Sequence, residues 1–231
     1  MRISLSGNPY MHSSNKRFSW LFTSTAILPL LLVPQSAQAA KANNDPMSFA
    51  ILGALGSLGM ACYQGGKAPC SLTPDIDINK LSFSYDQGHD ATLKHYRLAL
   101  GADWLQDFYQ SENFEITGRW EVNLNYWNST LDNADQDDGY MLGITPVFHY
   151  TYKMNTLKPF IEMGGGPQLL SNDTVENEFK STQFQFGSIF GLGIKNNQFE
   201  ISYRYLHISN AGIAMPNPGT DFHNIHLGYH F

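Results

Sequence analysis

From Lys80 onward the chain alternates between apolar and polar positions. Leu81, Phe83 and Tyr85 are separated by Ser82 and Ser84, with Asp86 next in line. Tyr96, Leu98, Leu100, Ala102 and Trp104 interleave with His95, Arg97, Ala99 and Asp103. Phe114, Ile116, Trp120, Val122, Leu124 and Tyr126 interleave with Glu115, Thr117, Arg119, Glu121, Asn123 and Asn125. The same pattern returns over residues 140–152, 157–163, 184–194, 199–209 and 225–231, which makes eight stretches in all. Strand side chains point alternately to opposite faces, so a period of two predicts strands and an all-β chain.

Which face is buried decides the kind of barrel. The polar positions carry Arg97, Arg119, Glu115, Glu121, Glu162, Lys195, Glu200 and Arg204, with Gly187, Gly191 and Gly193 beside them, while the apolar positions are large and rich in Tyr, Trp and Phe. A soluble lipocalin-like barrel needs polar residues on the outward face of most strands, and these stretches do not supply them. Paired ions inside and an apolar, aromatic-girdled wall outside predict an eight-stranded antiparallel transmembrane β-barrel of the outer membrane over residues 79–231. Eight strands make the smallest common barrel, filled by side chains with no open pore. Connections at 155–156 and 196–197 are short and those at 128–138 and 171–181 are long, as periplasmic turns and extracellular loops are. The connection at 105–113 is longer than this rule expects. The terminal Phe231, after alternating apolar residues, suits the ending of such a barrel.

The N-terminal part reads differently. Lys16-Arg17, an apolar run over 18–33 and the small-x-small site Ala37-Gln38-Ala39 predict a signal peptide over 1–39, with Met11 an alternative start. Residues 40–78 are expected to form an N-terminal periplasmic extension. Its Cys62 and Cys70 are the only cysteines, and an oxidising compartment favours their pairing in a disulfide. Two cysteines without a His or Cys cluster make a poor metal site. Charged residues are only 15% and aromatics 13% of the chain, which again suits a lipid-facing wall. A net charge of −6 argues against a nucleic-acid partner.

The candidate chemistry lies near the end of the chain. Phe199, Ile201, Tyr203, Tyr205, His207 and Ser209 share one strand face, so an apolar face ends in a base and a hydroxyl. Their Cα atoms are about 7 Å apart along a strand. Asp221 shares parity with Ile225, Leu227, Tyr229 and Phe231 and so faces lipid too. A carboxylate there is costly unless it is paired or close to the interface. Taken alone, a histidine at a strand end is more often interfacial decoration, and Ser209-Asn210-Ala211-Gly212 is ordinary turn chemistry.

The run His207-Ile208-Ser209-Asn210-Ala211-Gly212, followed by Pro216-Asn217-Pro218-Gly219-Thr220-Asp221, resembles the C-terminal signature of the lipid A 3-O-deacylases, the PagL-type outer-membrane barrels. The resemblance extends over the barrel and leaves residues 40–78 uncovered. It implies a carboxylic ester hydrolase with a Ser-His-acid triad. Ser209 is then the nucleophile, His207 the base and Asp221 the orienting acid, where the family usually has Glu. It also implies an oxyanion role for Asn217, which is joined in this reading by backbone N–H groups around Asn210, Ala211 and Gly212. The implied substrate is lipid A of lipopolysaccharide, in contact with outer-membrane lipid, at a site facing the outer leaflet. No metal and no cofactor are required.

Two rival readings stand beside it: a non-enzymatic structural or adhesive barrel, and another lipid-acting barrel such as a phospholipase. Association into a homodimer is left open. The acidic loop residues Asp132, Asp135, Asp137, Asp138, Asp173 and Glu176 read first as solvated charge. A sharper alternative has divalent cations bridging them to lipid A phosphates.

Overall fold

The computed structural model describes residues 71–231, together with Gly59 and Tyr63. The signal peptide over 1–39, most of the 40–78 extension and the Cys62–Cys70 pair lie outside the described residues. A single 3₁₀ turn, Ile78–Lys80, leads into the strands. These are β1 (Leu81–Asp90), β2 (Leu93–Asp103), β3 (Tyr109–Gln110), β4 (Phe114–Ser129), β5 (Asp138–Tyr152), β6 (Lys158–Leu170), β7 (Thr174–Val175), β8 (Glu178–Phe179), β9 (Phe184–Lys195), β10 (Phe199–Ser209) and β11 (Thr220–His230).

Eight long strands close on themselves. The order β2-β1-β11-β10-β9-β6-β5-β4 is completed by pairing of β2 with β4, all antiparallel. Closure leaves no edge strand, which is what a spanning sheet requires in lipid. The alternation resolves as the polarity of the faces predicts. Leu98, Leu100, Val122, Leu124, Leu192, Ile201, Ile225 and Leu227 are exposed on the outer wall, while Arg97, Arg119, Glu121, Glu162, Glu200 and Arg204 are buried within.

Inside, the ions satisfy one another. Arg204 bonds Glu162 at 2.6 Å and reaches Asp86 at 3.2 Å and Glu121 at 3.3 Å. Arg97 bonds Glu121 at 2.7 Å, and Arg119 bonds Glu121 at 2.8 Å and Glu200 at 2.5 Å. His226 bridges Asp86 and Glu200. Each charge taken from water costs several kcal/mol, so a dry interior holds ions only when they are paired in this way. Gly191 makes room for the network: a Cβ there would stand 2.5 Å from Glu162 Oε1.

Three features go beyond the alternation. First, the interior is layered, since at the end bearing the long loops Trp127, Met141, Leu170, Val175, Leu206, Ile208 and Phe222 form an apolar cap over the ionic layer. Second, the long connection at 105–113 folds back: β3 pairs with β4, and Phe108 joins Trp104 and Ile116 in a cluster against Phe148. That packing buries Trp104 and Ile116 on the outer face at the end bearing the short turns. Third, the start of the described segment lies along the barrel, where Leu105 N–H donates to Thr73 O and Trp120 Nε1 to Leu72 O.

The two long loops also engage each other. Gln136 pairs with Glu176, Asp135 N–H donates to Asn177 Oδ1, and β7 and β8 form a small hairpin. Glu176 accepts hydrogen bonds from the hydroxyls of Thr92 and Ser129, so this acidic loop residue is tied into the structure rather than simply solvated.

Candidate active site

The β10–β11 pair sets His207 directly opposite Asp221. Both belong to the outward-facing set, with Leu206, Ile208 and Phe222 turned into the apolar cap between them. His207 Nδ1 donates to Asp221 Oδ1 at 2.6 Å, which leaves Nε2 as the ring's other polar atom. The two side chains are 34% and 42% exposed, so the pair sits at the surface of the wall. The Tyr205 hydroxyl also donates to the Asp221 carboxylate. Tyr205 shares the parity of His207, and that shared face is the signal by which sequence alone could have found it.

Ser209 ends β10 on the same face, in register with Phe186 of β9. No hydrogen bond engages its hydroxyl among the described residues. His207 and Asp221 are therefore in contact, and Ser209 stands one outward position further along the strand.

The loop from 210 to 219 is held from within. Asn210 is fully buried: its Nδ2 donates to Lys180 O at 3.1 Å and Ala214 O at 2.9 Å, and its Oδ1 accepts from Gly212 N–H at 2.9 Å. Asn210 N–H in turn donates to Asn217 Oδ1 at 2.9 Å. Both the Asn210 and the Gly212 N–H groups are thus spent on the loop. Asn217 Nδ2 and Ala211 N–H are among the loop donors that have no partner among the described residues. Ala211 and Gly212 take positive φ of 54° and 78°, which swings the chain back toward β11.

A second loop clasps the first. Lys180, 2% exposed, bonds Glu178 at 2.6 Å and donates to the carbonyls of Pro218 at 3.1 Å and Gly219 at 3.3 Å. Ser181 Oγ donates to Pro216 O at 2.6 Å. Gly219 packs on the His207 ring, where a Cβ would lie 2.6 Å from Cε1. Lys180 and Ser181 lie about thirty residues before the motif, and no periodicity marks them.

Across the wall, the outward position beside His207 is Ser188 on β9, and beside that Gly165 on β6. The flanking rows hold Phe186 with Pro167 and Phe190 with Met163. Small residues between bulky ones form a shallow trough leading away from His207.

A hydroxyl, an imidazole and a carboxylate on the outer face of a closed barrel with an apolar wall form an arrangement that suits the class of outer-membrane β-barrel hydrolases. The profile of the Lipid A 3-O-deacylase (PagL) family matches residues 93–230, and the chain belongs to that family. It is 31% identical over 131 residues to "Lipid A deacylase PagL" of Pseudomonas aeruginosa, which covers 56% of this chain and 74% of that protein. It is 38% identical over 73 residues to "Lipid A deacylase PagL" of Bordetella bronchiseptica, covering 31% of this chain and 41% of that protein. The crystal structure of the outer membrane enzyme PagL superposes with a TM-score of 0.57 at 28% identity, over 64% of this chain and 97% of that one. The chain is an outer-membrane lipid A deacylase.

Proposed function

We propose that the chain is a serine esterase of the outer leaflet that removes the ester-linked 3-O-acyl chain of lipid A through Ser209, His207 and Asp221. The observation that carries this reading is the 2.6 Å pair of His207 and Asp221 on the lipid-facing wall, one outward position from Ser209. With the short turns in the periplasm, the 210–219 loop lies at the extracellular end, level with the outer leaflet.

Ser209 Oγ attacks the ester carbonyl while His207 Nε2 takes its proton. Asp221 accepts from Nδ1–H, which holds the tautomer and stabilises the imidazolium as it forms. Asn217 Nδ2 and Ala211 N–H donate to the oxyanion, a task for donors fixed in advance. Collapse breaks the ester C–O bond, and the proton on Nε2 passes to the departing sugar oxygen. Water, deprotonated by His207, then hydrolyses the acyl-serine to free fatty acid. The His207–Ser188–Gly165 trough holds the acyl chain against the wall. Residues 1–39 act as the export signal.

The test is mass spectrometry of lipid A from a host that lacks the activity and expresses this chain. Loss of one ester-linked hydroxyacyl chain is expected, and Ser209→Ala should abolish it. Loss of acyl chains from glycerophospholipids instead would favour the phospholipase reading.

A further inference from the structure

The end of the barrel bearing the long loops is acidic, with Asp132, Asp135, Asp137, Asp138, Asp173 and Glu178 in its loops. The basic residues lie elsewhere. Among the described residues, Lys80, Lys153, Lys158 and Lys195 lie at the end bearing the short turns. Arg97, Arg119 and Arg204 are sealed in the interior, and Lys180 is buried against Glu178. Among the described residues, Lys94 is the one exposed Lys or Arg at the loop end.

Lys94 has two basic neighbours. It is in register with His89 of β1, and His89 is in register with His223 of β11. All three are exposed and share the outward face. His223 stands opposite Tyr205, the residue that holds Asp221. The three therefore form a row across adjacent strands, beginning one outward position from the catalytic carboxylate. With strands about 4.8 Å apart, the row spans roughly 10 Å. His89 and Lys94 have no hydrogen bond or ion pair among the described residues, and His223 bonds only Tyr203, through Nδ1 at 2.5 Å. Unpaired donors on a lipid-facing wall are costly away from the interface. These flank the tight turn at Ala91 and Thr92, where headgroups rather than acyl chains lie.

We propose that Lys94, His89 and His223 form a phosphate-binding row that seats the anionic headgroup of the glycolipid substrate with its ester at Ser209. An ammonium and imidazole N–H groups give charge-assisted hydrogen bonds to phosphate oxygens. The acidic loops repel the same group elsewhere on the rim, so the row sets orientation as well as affinity. The proposal rests on the reading of Ser209, His207 and Asp221 as the deacylase site.

The test is the K94Q/H89Q double variant, with His223 left in place because it adjoins Tyr203 and Tyr205. Deacylation is measured in neutral detergent on a phosphorylated acyl-glucosamine lipid and on the same lipid without phosphate. For the phosphorylated lipid KM should rise at least about tenfold, the factor for a single charge-assisted contact where this variant removes two, with kcat unchanged. For the dephosphorylated lipid KM should stay at the wild-type value. A rise confined to phosphatidylglycerol vesicles would assign the row to the phosphate of a neighbouring lipid. Unchanged KM in both media, or equal rises for both lipids, would overturn the proposal. Heat-modifiable migration confirms folding, and the single Lys94→Gln variant keeps the test open if the double variant misfolds. Turnover by Ser209→Ala would instead refute the catalytic reading, whatever the double variant does.

Discussion

Gly219 stands against the imidazole of His207, so close that a Cβ there would lie 2.6 Å from Cε1 and 3.4 Å from Nδ1. The ring is thus fixed from two sides, by the Asp221 carboxylate and by a backbone with no side chain. Gly219→Ala should rotate or displace the ring. A catalytic group misplaced by an ångström costs about 100-fold in rate, so kcat should fall by one to two orders of magnitude. Heat-modifiable migration should remain near wild type.

Asp221→Asn should keep the barrel and lower kcat by about 10⁴, the scale of the equivalent change in a serine-protease triad. Asp221→Ala should be similarly damaging. Asp221→Glu should retain substantial activity, because it keeps a carboxylate beside His207 Nδ1 and adds only one methylene. Single-turnover kinetics on lipid A in detergent separates the three. Full activity of Asp221→Ala would remove this residue from the site.

Ser209→Ala and His207→Ala should each abolish turnover, and adding Asp221→Ala to either should cost little more. Groups that act as one unit are strongly non-additive. A further large loss in either double variant would show that Asp221 works independently of the other two.

Lys180→Met should strip the Pro218 and Gly219 carbonyls of their donor. A buried acceptor left unpaired costs about 1–3 kcal/mol. Because the clasp acts on the loop that packs on His207, kcat should drop roughly tenfold, the effect of about 1.4 kcal/mol on the barrier, with KM near wild type. A KM change with constant kcat would place Lys180 in substrate binding instead.

Gly165→Leu should fill the trough beside Ser188. A Cβ at Gly165 meets nothing closer than 3.4 Å, so a side chain can start there without a backbone clash, and heat-modifiable migration checks that the variant folds. KM should rise more for long acyl chains than for short ones, read from a chain-length series. An equal effect across the series would exclude the trough as the acyl path.

Much of this protein was legible in the chain itself. Alternation in eight stretches between Leu81 and Phe231 determined the long strands, and the chemistry of the two faces determined which one meets lipid. The reason is local: a strand's side-chain period is two whatever surrounds it, and paired ions cannot face acyl chains. The same parity put Tyr205, His207, Ser209 and Asp221 on one wall, and the motif gave the last three their proposed roles. Tertiary structure decided what depends on contacts between distant segments. Trp127, Met141 and Phe222 each break the polar parity of their strand's inward face, but only closure of the barrel brings them together as an apolar cap. Only the folded loops bring Lys180 to the carbonyl of Gly219 and engage the Asn210 and Gly212 N–H groups in hydrogen bonds within the loop. Only strand register aligns His223, His89 and Lys94, because sequence sets which face a residue takes and pairing sets its neighbours across the sheet.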